Sequence, residues 1–176
     1  QFSNDLRPFS PGQAVYGLWL DVKGKIQADG WVFCEGAEKF HIFSEYGAVE
    51  SIQEKLEQHI IADDVELEAG PLSAALAVMG EDAGELAASV TGALVLPGRR
   101  FDLPSVELVF ESAAARDAWV SEQDIEIVSE EWIQNERMQS GISTVGCEAL
   151  PGDLPGEAAL VEDAISFKKG CFLGQE

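Results

Sequence analysis

The chain has 176 residues, which suffice for one domain or two small ones, and 46% of them are apolar. Its 32 acidic residues outnumber 11 basic ones and give a net charge of −21. An acidic surface of this size repels phosphate backbones and anionic lipid headgroups, so it argues against direct nucleic-acid or membrane binding by the body of the protein. No apolar run approaches the roughly 18 residues that a membrane-spanning helix needs.

The three cysteines, Cys34, Cys147 and Cys171, lie far apart. Their odd number and wide spacing fit no disulfide framework, and they lack the paired spacing of a zinc or iron–sulfur site. We therefore expect a cytoplasmic protein with no metal site of its own. The chain begins without Met and ends within an unusual motif at 168–176, so we also expect it to be a piece of a longer protein.

The N-terminal part predicts a small antiparallel sheet. Residues 13–22 and 26–35 have the composition of strands, and the segment 22–25 between them has the composition of a hairpin turn. A third run, 39–44, is short, aromatic and bounded by glycines, and predicts another strand.

A helix is predicted next, over residues 46–60, with Ser44 as its N-cap. Its apolar residues recur at helical spacing, at Val49, Ile52, Leu56 and Ile60. The alternation at 65–68 then predicts an edge strand, and the apolar run 72–78 predicts a further strand.

The rest of the chain predicts a second round of strands and helices. A short helix at 81–89 is followed by a strand beginning near 93. Further predictions are a strand at 106–110, helices capped by Ser112 and Ser129, and an irregular segment at 141–157. This order predicts an α+β fold with two related halves, at 1–95 and 96–176.

The chain ends in an unusual string, Lys-Lys-Gly-Cys-Phe-Leu-Gly-Gln-Glu at 168–176. Gly170 and Gly174 flank the thiol and allow the backbone to approach another surface closely. A neighbouring cation increases the thiolate fraction of a thiol, so Cys171 is a candidate reactive group and Lys169 its candidate activator. The alternative is a buried structural cysteine, which is the usual role of a lone cysteine inside cells.

Residues 169–176 resemble, almost letter for letter, the Lys-Gly-Cys-aromatic-x-Gly-Gln-Glu signature of the YgfZ-type folate-binding proteins. These are relatives of the glycine-cleavage T-protein, an aminomethyltransferase. Shorter stretches resemble the same family, at Asn4-Asp5, at the turn 20–26 and at the arginine segment 137–142. The resemblance implies folate-facing α+β domains around a central pocket, with most of the family's C-terminal barrel absent from this chain.

Two departures separate the chain from the aminomethyltransferase branch. The enzyme's Gly-Gly-x-x-Asp-Asp turn corresponds here to 24–29, where Lys25 replaces the second glycine and Ala28 replaces one acid. The enzyme's Tyr-Thr-Gly-Glu stretch corresponds to 100–104, where none of those residues stands. The resemblance therefore implies a folate-binding accessory protein that supports iron–sulfur proteins and a tRNA modification.

The resemblance implies tetrahydrofolate or a one-carbon-substituted folate as the ligand. The candidate folate-binding residues are Asn4, Lys23, Gly24, Lys25, Asp29, Arg137, Gly170, Gly174, Gln175 and Glu176.

Six of these residues also have a simpler explanation. Gln175 and Glu176 hydrogen-bond a pterin edge or form a solvated loop end. Lys23 and Lys25 bind the glutamate tail of a folate by charge, or belong to an ordinary exposed hairpin. Arg137 and Asp29 likewise each have a ligand-binding explanation and a structural one. Arg137 pairs with a ligand carboxylate or complements a helix C-terminus, and Asp29 contacts ligand or is a solvated strand residue.

Three functional hypotheses follow. The first is a YgfZ-type folate-binding protein that uses Cys171 for iron–sulfur client proteins and is not a classical enzyme. The second is an aminomethyltransferase-like enzyme that moves a one-carbon unit to or from tetrahydrofolate. The third is a degenerate module that binds a protein partner and no folate.

Overall fold

The computed structural model describes residues 2–44, 46–61, 64–70, 73–99 and 102–170. The chain divides into two compact units, one formed by residues 1–70 together with 143–176 and the other by residues 71–142. The boundary that the sequence analysis placed near residue 95 falls inside the second unit. The return of the chain to the first unit after residue 142 depends on contacts between distant residues, which leave no local signal in the sequence.

The first unit contains an antiparallel sheet in the order β1-β2-β3, with β1 at Ala14–Leu20, β2 at Ile26–Gly36 and β3 at Lys39–Phe43. The three predicted strands and the hairpin turn between the first two are confirmed. The register places Tyr16 opposite Trp31 and Leu18 opposite Asp29. Because every second residue of a strand points to the same side, these four side chains share one face of the sheet.

The other face of this sheet carries a hydrophobic core. Its buried members are Phe2, Trp19, Ala28, Val32 and Ile52. Ile52 lies on α1 at Val49–Glu57, so this helix packs against the sheet.

Helix α1 is shorter than the predicted range of 46–60, and the predicted N-cap at Ser44 is wrong. The N-cap position is Ala48, which makes no side-chain cap hydrogen bond. Gly47 has a φ of +155°, far from the helical value, so the helix cannot extend back to Ser44. Val49, the first residue of the helix and expected on its apolar face, is half exposed.

The second unit contains β4 at Ala74–Met79, α2 at Ala83–Ser89, β5 at Ala93–Pro97, β6 at Ser105–Phe110, α3 at Ala113–Ser121 and α4 at Glu130–Gln139. Its sheet is antiparallel in the order β4-β6-β5. Both predicted serine caps are confirmed. The Ser112 and Ser129 hydroxyls accept from the N–H groups of Ala115 and Trp132, each at 3.2 Å.

The chain then returns to the first unit through residues 143–157, which are irregular as predicted for 141–157 and which we call the returning segment. It enters α5 at Val161–Ala164. Helix α5 was not predicted, because four residues are too few to show a hydrophobic period. The edge strand predicted at 65–68 is wrong: these residues form no strand. Val65 is about half exposed, so the alternation there has no buried face to stabilise a strand.

Two three-stranded sheets with accompanying helices confirm the predicted α+β class. The sheets have equal strand numbers but different strand orders. Across the parts of the chain that the structure describes, every helix is too short or too polar to cross a membrane.

Candidate functional site

The hairpin between β1 and β2 presents two lysines at an exposed turn. Oδ1 of Asp21 accepts from the backbone N–H groups of Lys23 at 2.8 Å and Lys25 at 2.9 Å. Both hydrogen bonds lower the pKa of the Asp21 carboxyl, and the one from Lys25 has the larger effect. Gly24 supplies the positive φ, +74°, that the turn requires. Nζ of Lys25 donates to the carbonyl oxygen of Gly152 at 2.6 Å, so this lysine is tied to the returning segment.

Asp29 is a buried carboxylate in the middle of β2. Asp29 is only 2% exposed, so the alternative that it is a solvated strand residue is wrong. The hydroxyl of Tyr16 donates to Oδ2 at 2.8 Å, and the backbone N–H of Tyr46 donates to Oδ1 at 3.2 Å. Burying a carboxylate costs free energy unless hydrogen-bond donors compensate it. These two donors therefore stabilise Asp29 in its buried position.

The ring of Tyr46 packs tightly against Gly146. A Cβ atom added at Gly146 would lie 2.3 Å from Cδ2 of Tyr46, much closer than side chains approach in proteins. Gly146 also has a φ of +94°, which favours glycine. The returning segment therefore lies directly against the ring of the residue whose N–H reaches Asp29.

A second group of contacts joins residues 2–7 to residues 163–169, and we call these two segments and their hydrogen bonds the clasp. Ser3, which is fully buried, donates its hydroxyl to the carbonyl oxygen of Ala164 at 2.6 Å. The same hydroxyl accepts from the N–H of Leu18 at 2.8 Å, which ties the clasp to β1. The side chain of Asn4 donates to the carbonyl oxygen of Tyr16 at 2.9 Å. The clasp is thus joined to the strand whose tyrosine holds Asp29.

Lys169 is the last long side chain of the clasp. Its Nζ donates to the carbonyl oxygens of Phe2 at 2.6 Å and of Asn4 at 3.1 Å. Burial lowers the pKa of the Lys169 ammonium, while the charge of Asp5 acts in the opposite direction. Asp5 is paired with Arg7, and the side-chain hydrogen bond from Arg7 is the main reason that the pKa of the Asp5 carboxyl falls to about 2.

Arg137 lies in the last turn of α4, as predicted, and belongs to the second unit. It is 4% exposed. Its Nη1 donates to the carbonyl oxygen of Ile142 at 2.7 Å, and its Nε and Nη2 donate to Oε1 of Gln134 at 3.0 and 2.7 Å. These contacts support the interpretation of Arg137 as a group that stabilises the end of its helix. A contact between Arg137 and a ligand stays a prediction.

The structure places the predicted site residues that it describes in four local groups, three in the first unit and one in the second. The first unit holds the hairpin residues Lys23, Gly24 and Lys25, the buried Asp29, and the clasp residues Asn4 and Lys169 with the exposed Gly170. Arg137 lies in the second unit, and Cys171, Gly174, Gln175 and Glu176 lie outside the described residues.

Ser3, Tyr16 and Tyr46 are not among the site residues predicted from the sequence. Strand alternation combined with the predicted hairpin could have placed Tyr16 on the face of Asp29. Ser3 and Tyr46 act through contacts with distant backbone groups, which no local pattern reveals.

The cysteines that the structure describes are free, with Cys34 buried and Cys147 exposed. Within the described ranges, no three or more His, Cys, Asp or Glu side chains come together in a way that could hold a metal ion.

Comparison with known proteins adds two findings. Residues 2–148 match the model of the GCVT N-terminal domain. The chain is also similar to the crystal structure of glycine cleavage system aminomethyltransferase T from Bartonella henselae, with a TM-score of 0.64 and 18% sequence identity. That similarity covers 88% of this chain and 48% of the other, so this chain spans about half the length of that protein. No curated protein sequence matches the chain. At this identity the structural similarity shows a shared fold.

Proposed function

The chain belongs to the GCVT N-terminal domain family, and from this premise we propose that it binds tetrahydrofolate or a one-carbon-substituted folate. We further propose that it acts as an accessory protein of the YgfZ type, with Cys171 as its reactive thiol. Its clients would be iron–sulfur proteins, including those of a tRNA modification, in the reducing cytoplasm.

The observation that carries the folate proposal is the environment of Asp29. A carboxylate recognises a flat heterocycle by accepting two of its N–H groups, and the edge of a pterin offers such donors. The hydroxyl of Tyr16 and the N–H of Tyr46 hold the two oxygens of Asp29 in a fixed orientation. Since Asp29 is 2% exposed, a pterin reaches it only when a covering group moves aside.

The hairpin lysines fit the other end of a folate. Lys23 and Lys25 are exposed on a turn that begins the strand carrying Asp29, and an ammonium group pairs with carboxylates as a compact charge. The Lys25 ammonium would exchange its contact with the carbonyl of Gly152 for one with the glutamate tail.

The proposed thiol role rests on the sequence signature 169–176. One thiol cannot hold an iron–sulfur cluster alone, because clusters generally take four ligands. We therefore assign Cys171 a transient part in the maintenance of client proteins, through reaction with another thiol or as one ligand among those of a partner.

Aminomethyl transfer is the competing function within the same family. The structural similarity to an aminomethyltransferase concerns the fold alone. The resemblance to the aminomethyltransferase branch implies a pair of acids at positions 28 and 29, and this chain has Ala28 at the first position and keeps only Asp29.

Anaerobic calorimetric titration of tetrahydrofolate into the intact protein tests the proposal. We expect micromolar binding that weakens at least tenfold in Asp29→Asn and in Lys23→Ala/Lys25→Ala. The matched controls are Asp64→Asn, which removes the same charge from an exposed acid, and Lys55→Ala. Cys171→Ser should bind as well as the unmodified protein. Absence of binding by the intact protein would contradict both folate hypotheses and leave a protein-interaction module.

Two activity measurements separate the remaining alternatives. Tetrahydrofolate-dependent turnover of an aminomethyl donor would identify a transferase and overturn the accessory role. In cells without the protein, we expect iron–sulfur enzyme activity to fall and to be restored by the unmodified chain but not by Cys171→Ser. Full restoration by Cys171→Ser would remove the thiol from the proposal.

A further inference from the structure

The two tyrosines that donate to Asp29 are held in different ways. Tyr16 lies inside β1, is 7% exposed and pairs with Trp31 of the neighbouring strand. Its backbone carbonyl oxygen also accepts from the side chain of Asn4. Tyr46 lies outside the helices and strands, and 41% of the residue is exposed. Tyr16 is thus built into the sheet, whereas Tyr46 reaches Asp29 from the protein surface.

The backbone contacts between Tyr46 and Asp29 are long. The N–H of Tyr46 donates to Oδ1 of Asp29 at 3.2 Å, and the carbonyl oxygen of Tyr46 accepts from the N–H of Asp29 at 3.5 Å. The usual distance between nitrogen and oxygen is about 2.9–3.0 Å, and hydrogen bonds weaken as this distance grows. By contrast, the hydroxyl of Tyr16 donates to Asp29 at 2.8 Å. Breaking the contacts on the Tyr46 side therefore costs less than breaking those on the Tyr16 side.

The ring of Tyr46 packs on a loop of the returning segment that holds its own shape. The N–H groups of Cys147 and Ala149 both donate to the carbonyl oxygen of Thr144, at 3.2 and 3.3 Å. The N–H of Gly146 donates to the carbonyl oxygen of Ala149 at 2.7 Å, and Ala149 is fully buried. Because these hydrogen bonds lie within the loop, they do not depend on the position of the Tyr46 ring. The loop is therefore a fixed support that the ring can leave.

We propose that Tyr46 is a gate residue, which swings away from Gly146 and Asp29 to admit a ligand while Tyr16 stays in place. Tyr46 is then the covering group that moves before a pterin reaches Asp29, and in this respect the inference rests on the proposed function. Opening of the gate is a local event of the ligand-free protein, distinct from unfolding of the first unit.

Gly146 offers a way to hold the gate open. A methyl group at this position would lie 2.3 Å from Cδ2 of Tyr46, so Gly146→Ala should displace the ring. The matched control is Gly152→Ala, because Gly152 has a similar positive φ but open space around its missing Cβ. Tyr46→Ala removes the ring and keeps the backbone N–H. Ser3→Ala instead loosens the clasp, which is joined to the strand that contains Tyr16.

The test measures how fast a carbodiimide and glycinamide label the carboxyl group of Asp29, by peptide-resolved mass spectrometry. Since Asp29 is 2% exposed, the reagents reach it only when its cover opens, and the exposed Asp64 serves as the internal reference. We expect labelling of Asp29 to accelerate roughly tenfold in both Gly146→Ala and Tyr46→Ala, as a shift of about 1.4 kcal/mol in the opening equilibrium produces.

Two further comparisons distinguish the gate from other openings. In Gly152→Ala and Ser3→Ala, the labelling rate of Asp29 should stay within about twofold of the unmodified protein, because neither change touches the gate. Low concentrations of urea should also change the rate little. The dependence of an opening on urea follows the surface that the opening exposes, which is small for one residue and large for unfolding.

Three results would overturn the gate: unchanged labelling in either Gly146→Ala or Tyr46→Ala, an equal acceleration in Gly152→Ala or Ser3→Ala, or a steep dependence of labelling on urea. Adding tetrahydrofolate to the same samples keeps the two proposals apart. The expected acceleration without protection of Asp29 by tetrahydrofolate would remove the folate proposal alone. Protection by tetrahydrofolate without the expected acceleration would remove the gate alone.

Discussion

The hydroxyl of Tyr16 donates to Oδ2 of Asp29 at 2.8 Å, between two residues that are diagonal neighbours on adjacent strands. The backbone carbonyl of the same tyrosine accepts from the side chain of Asn4 at 2.9 Å. The backbone carbonyl oxygen of Asn4 in turn accepts a hydrogen bond from the ammonium group of Lys169. One tyrosine therefore links the buried acid of the sheet to the segment that leads to Cys171.

The first prediction concerns the hydroxyl of Tyr16. Tyr16→Phe removes a donor from a buried carboxylate, and a hydrogen bond to a charged group is worth about 1.5–3 kcal/mol. We expect the free energy of unfolding to fall by about that amount, measured by urea denaturation. Tyr46→Phe is the control, because Tyr46 contacts Asp29 through its backbone N–H and the residue is 41% exposed. Equal losses in the two variants would show that the Tyr16–Asp29 hydrogen bond does not stabilise the fold.

The second prediction concerns Ser3, whose hydroxyl bonds two buried backbone groups. Ser3→Ala leaves the N–H of Leu18 and the carbonyl of Ala164 without this partner, which costs about 1–3 kcal/mol in the free energy of unfolding. Ser51→Ala, at an exposed position in α1, should stay within about 0.5 kcal/mol of the unmodified protein. The two variants are compared by urea denaturation. A loss below about 0.5 kcal/mol in Ser3→Ala would contradict the assigned role of Ser3.

The strands and most helices could be predicted because their signals are local. The lysine hairpin at 22–25 separates two apolar runs, and Ser112 and Ser129 have the side chains that cap a helix. The prediction failed where the backbone geometry of one residue decided the outcome. Gly47 stops α1 from reaching Ser44, and its φ of +155° cannot be inferred from composition.

The candidate site was predicted less completely than the fold. The resemblance points to Asp29, but its hydrogen-bond partners, Tyr16 and Tyr46, could not be read from a local pattern, because Tyr46 follows β3 in the sequence. Lys169 was chosen for its effect on a thiol, whereas the structure shows its ammonium on the carbonyls of Phe2 and Asn4. Both arrangements depend on tertiary contacts that follow from the completed fold.

The third prediction is a pH dependence from Asp5. Pairing with Arg7 lowers the pKa of this carboxyl from 3.8 to about 2 in the folded protein. A lowered folded-state pKa stabilises the fold above the ordinary pKa, and the contribution is lost as pH falls from about 3.8 to about 2. The unfolding midpoints of the unmodified protein and Asp5→Asn should therefore differ at pH 5 and converge toward pH 2. Asp64→Asn, on an exposed acid, is the control. If the difference in unfolding midpoint between the unmodified protein and Asp5→Asn stays constant over this pH range, the Asp5–Arg7 pair does not have the stabilising role assigned to it.

The fourth prediction separates backbone strain from crowding at two glycines of the returning segment. Gly146 and Gly152 have similar φ values of +94° and +100°. A Cβ atom at Gly152 would meet no other atom within 4 Å, whereas one at Gly146 would lie 2.3 Å from the ring of Tyr46. Gly152→Ala should therefore lower the free energy of unfolding only through backbone strain, by about 1–2 kcal/mol.

Gly146→Ala should lower the free energy of unfolding by a further 1–3 kcal/mol or so, because the ring of Tyr46 must move to relieve the overlap. That movement would also disturb the N–H group that Tyr46 donates to Asp29. We therefore expect Gly146→Ala, but not Gly152→Ala, to weaken the binding of tetrahydrofolate in calorimetric titration under folded conditions. Equal destabilisation in the two variants, measured by urea denaturation, would show that the returning segment does not press on Tyr46, and the link from this segment to Asp29 would fail with it.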